Sequence, residues 1–170
     1  MVEFARRVKG PGRVYLTGGA TAILRGFRAM TKDIDLSFAP EPHGTAEALR
    51  ELKDLLDINV EPAAPADFIP PLPGWQDRSL FIARHGSVDF FDYDPYSQVL
   101  AKVERGHARD LDDAHSFVSS GLVDPTRLRA LFANVREGLV SDSAYVAIDP
   151  DAFEQKVDGF LASLGRHDDA

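Results

Sequence analysis

The stretch TGGATAILRGFRAMTKDIDLSF, residues 17–38, constrains the fold more than any other part of the chain. Just before and into it, RVYLT (13–17) is a short run rich in β-formers, which favours a buried strand. The run stops at Gly18-Gly19. Ala20, Ile23, Leu24 and Phe27 then recur at i, i+3, i+4 and i+7, the spacing of one helix face. DIDLSF (33–38) alternates instead, with Asp33, Asp35 and Ser37 on one side and Ile34, Leu36 and Phe38 on the other. The predicted order is strand, tight turn, helix, then a strand with one core face and one polar face.

Downstream, residues 44–57 carry Ala48, Leu52, Leu55 and Leu56 at helical spacing and lead into the short segment INVEP. EPAAPADFIPPLPGW (61–75) is too rich in proline for a helix or a central strand. Its aromatic residues, Phe68 and Trp75, suit either a lid or a cover for the core. SLFIAR, His85-Gly86 and SVDFFDY read as a β-hairpin. Helical patterns occupy 95–105, 108–119, 125–137 and 149–164, punctuated by Gly121, Pro125 and Pro150. The expected class is therefore α/β: a mixed-sheet core over 1–94 and a helical C-terminal lobe over 95–170. A chain of 170 residues, 44 % hydrophobic, closes one core, and no compositional break marks a linker, so a single domain over 1–170 is expected.

The absence of cysteine removes disulfides, thiolate metal sites and cysteine nucleophiles. His43, His85, His107, His115 and His167 show no zinc-binding spacing. Charges interrupt every apolar run short of a membrane span, and MVEFARRVKG has no signal-peptide core, so a cytoplasmic protein without membrane contact is expected. A formal net charge of −8 argues against a general nucleic-acid coat. Positive charge is nonetheless concentrated early, at Arg6, Arg7, Lys9, Arg13, Arg25, Arg28 and Lys32, which suits a local anionic substrate or simply the solvated faces of helices.

Asp33 and Asp35, at i and i+2 on one strand, project to the same face with Cα atoms about 6.5 to 7 Å apart. Carboxylates brought to about 4 Å repel by roughly 4 kcal/mol at an effective dielectric of 20, and a divalent cation is the usual reason for converging them. Oxygen-only ligands favour Mg²⁺ or Mn²⁺, and Mg²⁺ commonly takes one or two protein carboxylates together with phosphate oxygens. Gly18-Gly19, at a strand end and opening a helix, allows backbone N–H groups to approach a phosphate closely, with the Thr17 and Thr21 hydroxyls as further donors.

This combination of a Gly-Gly turn, a helix-bearing gap and D-I-D on an apolar strand resembles the DNA polymerase beta-like nucleotidyltransferase superfamily. GGATAILRGFRAMTKDIDL is similar to the AbiEii-type and related small bacterial members, in which an R-x-T-x-D-I-D run is typical; Thr31, Asp33 and Asp35 fall at its places, and Arg28 stands one residue further upstream. DPYSQVLAKVERGHARDLDDAHSFV looks like the second block of that group, with Lys102, Arg105, Arg109, Asp110 and Asp113 at matching places. The two blocks and the strand between them cover most of residues 14–120. The resemblance implies a polymerase beta-like core, Lys102 contacting nucleotide phosphates with Arg28 in support, and an acidic residue, Asp110, helping to complete the site. Read without it, Lys102, Arg109, Asp110 and Asp113 are ordinary helix-face ion pairs.

Superfamily members carry a third carboxylate on a later strand beside the D-x-D, where it binds metal and acts as base. SVDFFDYD offers Asp89, Asp92 and Asp94. Asp89 and Asp92 fall on opposite faces of a regular strand, so only one serves. Asp89 is preferred because V-D-F-F reproduces the family's form, and Asp94 before Pro95 suits a helix cap. The implied activity moves a nucleoside monophosphate from an NTP to an acceptor hydroxyl, with Asp33, Asp35 and Asp89 holding Mg²⁺ or Mn²⁺. AbiEii-type resemblance implies a toxin of a toxin–antitoxin pair that modifies tRNA ends, with a helical antitoxin as partner. Related members transfer nucleotides to aminoglycosides or protein side chains, and a non-catalytic nucleotide- or partner-binding module is the alternative from another class.

Overall fold

The computed structural model describes residues 1–27, 29 and 33–165. Its contacts divide the chain into two compact units. The first comprises Met1–Ala64 and Gln76–Asp94, and the second Pro65–Trp75 together with the chain from Pro95 onward. The class is mixed α/β, with a five-stranded mixed sheet in the N-terminal part followed by a helical C-terminal region, as the sequence patterns predict.

In the first unit, α1 (Val2–Arg7) precedes β1 (Gly12–Thr17), α2 (Gly18–Leu24), β2 (Asp33–Phe38), α3 (Thr45–Leu56) and β3 (Asn59–Pro62). A short helix α4 (Trp75–Arg78), then β4 (Leu80–His85) and β5 (Val88–Asp92), follow. The strand order is β3-β2-β1-β5-β4. β1 pairs antiparallel with β2 and parallel with β5, β2 runs parallel with β3, and β4 and β5 form the hairpin. Pro62 pairs in β3, an edge strand, where the missing N–H is tolerated.

Alternation within the strands gives the sheet two unlike faces. Val14 and Leu16 of β1, Leu36 of β2, Val60 of β3 and Val88 and Phe90 of β5 join one apolar cluster with Phe4, Ala20, Ala48, Leu49 and Leu52 of the helices. Burying a side chain such as Leu49 or Leu52 contributes about 1.5 to 3 kcal/mol, so this cluster fixes which way each strand faces. The opposite face carries Arg13, Tyr15 and Thr17, the residues in register with Ser37 and Asp35 of β2 and with Asp89 and Phe91 of β5.

Helix α1 has no counterpart in the sequence reading. At six residues it is too short to hold itself in water, and Phe4 anchors it, stacked on Phe38 at 6.0 Å and edge-on to Phe90 at 6.2 Å. Part of the early basic cluster is spent here. Arg6 pairs with Glu3 at 2.7 Å, and Arg7 pairs with Glu3 at 2.6 Å and Glu51 at 3.2 Å.

The second unit contains α5 (Pro95–Arg105), α6 (Ala108–Ser119), α7 (Pro125–Ser141) and α8 (Pro150–Leu164). Asp124 and Asp149 cap α7 and α8 by accepting backbone N–H bonds, each just before a proline at the first helical position. The part of the proline-rich segment from Pro65 to Trp75 belongs to this unit and covers its core rather than standing apart: Ile69 and Leu72 are fully buried, and the Arg105 guanidinium lies 4.7 Å from the centre of the Phe68 ring. Tyr145 secures the same segment by donating to the Ala66 carbonyl at 2.7 Å. Among the described residues, no helix is long and apolar enough to cross a membrane.

Candidate active site

The register of the sheet brings the two central aspartates together with groups at the ends of neighbouring strands. Asp35 lies opposite Thr17, the last residue of β1, and beside Glu61 of β3. Asp33 lies beside Asn59, whose side-chain amide donates to Asp33 Oδ1 at 3.2 Å. Residues paired in register share a face, so Asp33, Asp35 and Glu61 all project from the face opposite the α1–α3 cluster. Adjacent strands are about 4.8 Å apart, which puts the Glu61 backbone closer to Asp35 than Asp33 is. Asp33 and Glu61 are exposed and Asp35 is half-buried.

Gly18 is required where it sits. Its φ is +58°, and a Cβ built on it would stand 2.2 Å from Asp35 Oδ2. Only glycine combines that conformation with so close an approach to a carboxylate. Gly18 and Gly19 open α2, whose N-cap Thr17 makes no side-chain capping bond; the Thr17 hydroxyl instead reaches the Ala63 carbonyl at 3.4 Å. Thr21 does not face this site. Fully buried, it donates to Asp92 Oδ1 at 2.6 Å and lies 3.2 Å from the Leu16 carbonyl.

Asp89 is not brought to the aspartate pair. It is in register with Arg13, four residues before Thr17 on β1, hence about 13 Å along the sheet from the Asp35 row. Arg84 forms paired hydrogen bonds to it, one at 2.7 Å, and these hold the Asp89 carboxyl below the ordinary carboxylate range, with Arg13 adding a smaller effect. Asp92 faces the other way, into the helix-covered side, as alternation along β5 requires. Asp94, fully buried, receives Arg78 through Nε at 3.1 Å and Nη2 at 2.8 Å.

Lys102 and Asp110 occupy the second unit. Lys102 is 3 % exposed; its ammonium lies 2.7 Å from Asp113 Oδ2 and 3.4 Å from Asp110 Oδ1. Arg105 also reaches Asp110 Oδ1, at 2.6 Å. Spacing alone suggests solvated pairs along single helix faces; these pairs instead join α5 to α6 and are buried, so each charge depends on its partners. Arg28 and Thr31 lie outside the described residues.

Glu61 is the acidic residue that sequence reasoning missed. Its strand is four residues long, ends in proline and runs into the proline-rich loop, so nothing local sets its register against β2. The available signal was the alternation of Asn59 and Glu61 with Ile58 and Val60, a short echo of the D-I-D pattern.

The donor set of this face fits Mg²⁺ or Mn²⁺. Among the described residues, no three or more His, Asp or Glu side chains form a ready metal cluster. Two carboxylates on one strand, with a backbone turn that has no Cβ packed against one of them, are enough for a cation that completes its octahedron with water and phosphate oxygens.

The sequence model of a family described as a nucleotidyltransferase of unknown function (DUF6036) matches residues 3–158. No curated protein and no solved structure matches the chain.

Proposed function

The chain belongs to this nucleotidyltransferase family, and from that premise we propose that it is a metal-dependent enzyme of the polymerase beta-like type, transferring a nucleoside monophosphate from an NTP to an acceptor hydroxyl. The observation that carries the reading is the register that sets Asp33, Asp35 and Glu61 on one face beside the Gly18 turn. Asp33 and Asp35 are the proposed holders of Mg²⁺ or Mn²⁺, which when bound neutralises charge on the phosphate oxygens. The Gly18-Gly19 backbone offers its N–H groups to the polyphosphate. α2 has only seven residues, so close approach, more than a helix dipole, is what the turn contributes.

Glu61 replaces Asp89 as the proposed third carboxylate. A carboxyl held low by Arg84 is a weak proton acceptor, whereas Glu61 neighbours Asp35 at the exposed sheet edge. The acceptor oxygen attacks the α-phosphorus in line. Its proton passes to Glu61, and the bond from the α-phosphorus to the bridging oxygen breaks, so that pyrophosphate leaves with the electron pair. Lys102 and Asp110, to which the family resemblance gives a nucleotide-binding role, are engaged in buried ion pairs within the helical unit, and the proposed step uses neither.

The proposed acceptor is the end of a tRNA, with a toxin role and a helical antitoxin as partner, on the strength of the AbiEii-like T-x-D-I-D run, Thr31 to Asp35, with Arg28 just upstream. Incubation with Mg²⁺ and each α-³²P-labelled NTP, with and without total tRNA, followed by gel separation, tests it. Label on tRNA is the expected result. Label on protein, or on added aminoglycosides, keeps the transferase and replaces the acceptor. No label with any acceptor overturns the transferase reading in favour of a binding module.

A further inference from the structure

Asp92 is a buried carboxylate, 1 % exposed, for which the proposed reaction has no use. It closes β5 on the helix-covered face, in register with Leu16, next to the Thr17–Asp35 row. Two charge-assisted hydrogen bonds reach it from a single helix: Thr21 Oγ1 to Oδ1 at 2.6 Å and Arg25 Nε to Oδ2 at 2.6 Å. Thr21 is three residues past Gly18, and Arg25 is the C-cap of α2. The carboxylate therefore grips α2 at its middle and at its end.

That grip matters because α2 cannot set its own position. It has seven residues and no side-chain N-cap, too little for a helix to stand by propensity alone. Where its first residue sits is decided by what holds the helix from the sheet. Its first residue is Gly18, whose Cα approaches Asp35 so closely that a Cβ would collide with Oδ2. A shift of α2 by a fraction of an ångström would change the space around the Asp35 carboxylate.

We propose that Asp92 is a positioning residue for the metal site: through Thr21 and Arg25 it fixes α2, and through Gly18 it fixes the Asp35 carboxylate in the orientation that binds a divalent cation. This rests on the reading of Asp33 and Asp35 as metal ligands. Three residues that sequence patterns treat separately, Thr21 as a phosphate donor, Arg25 as one of a basic cluster and Asp92 as an alternative third carboxylate, thereby acquire one shared task. It is carried out from the face of the sheet opposite the chemistry.

The test is a Mn²⁺ titration of the full chain followed by water-proton relaxation, with thermal unfolding measured on every variant. Thr21→Val keeps the shape of the side chain and removes its donor, so it is the variant expected to remain folded. It should weaken Mn²⁺ binding about fivefold, the scale of one hydrogen bond, while Thr21→Ser restores it. Asp92→Asn, which also loosens Arg25, should weaken binding about tenfold or more. Wild-type affinity in both Thr21→Val and Asp92→Asn overturns the proposal and leaves Asp92 a plain fold anchor, provided Asp35→Asn has lost Mn²⁺. If the wild-type chain binds no Mn²⁺, or Asp35→Asn binds it equally well, the metal reading of the D-x-D fails and this inference fails with it.

Discussion

Asp33 and Asp35 stand on a strand face with the Gly18 turn packed on one of them, while Asp110 and Asp113 are enclosed with Lys102 and Arg105. The two acidic groups belong to different units of the same chain and differ in exposure. In the helical unit, Asp110 and Asp113 both meet the Lys102 ammonium, and Asp110 also meets Arg105. Such an arrangement is costly to disturb, because each buried charge relies on the others. On the sheet, Asp33 is exposed and accepts from the Asn59 amide, Asp35 is half-buried, and the acidic residue across the register from Asp35 is the exposed Glu61. Carboxylates at an accessible strand face are within reach of a ligand from solvent. The contrast explains why a count of acidic residues says little about function: what separates the two groups is whether the carboxylates are open to solvent or enclosed with their partners.

Four substitutions or conditions would break or sharpen that contrast. Asp33→Asn should lower nucleotidyl transfer by about three orders of magnitude, the scale of losing a group that stabilises transition-state charge, with thermal unfolding nearly unchanged. Lys102→Met should act first on stability. Leaving Asp110 and Asp113 buried without their ammonium should cost about 3 to 5 kcal/mol in urea unfolding, and a loss near zero would mean the cluster is not a mutually dependent network. Gly18→Ala combines strain at φ +58° with a collision at Asp35, so stability should fall by about 1 to 3 kcal/mol and metal affinity should fall with it. The smallest effect belongs to Asp89. Its carboxyl is held low by Arg84, so the pair's contribution is present above the unfolded aspartate range, near pH 3.9, and is lost as pH falls through the lower folded value. Acid unfolding of Asp89→Asn should therefore be slightly less pH-dependent than that of the parent chain below about pH 4.

Much of the first unit was legible because its signals are local. RVYLT, the Gly-Gly break and the alternation of DIDLSF predict β1, the start of α2 and β2 to within a residue or so, and the Asp33–Asp35 pairing follows from strand period alone. The hairpin was equally local, with Gly86 at φ +60° supplying its turn. What escaped is what depends on partners distant in sequence. Helix α1 exists because Phe4 finds Phe38 and Phe90, and no propensity in VEFARR announces it. Glu61 gains its meaning from a parallel register with β2 across the whole of α3. Asp92 and Thr21 meet from 71 residues apart, so the hydroxyl that looks like a phosphate donor in the sequence turns out to be spent on the sheet.

The central claim is that the chemistry resides at Asp35 and its sheet neighbours and not at Asp89. Transfer of α-³²P label by Asp35→Asn and by Asp89→Asn, side by side with the parent chain under saturating Mg²⁺, tests it most directly. The account predicts that Asp35→Asn transfers nothing measurable while Asp89→Asn stays within about threefold of the parent, the range of an exposed ion pair. Full transfer by Asp35→Asn, or loss of transfer in Asp89→Asn with its fold intact, would contradict it.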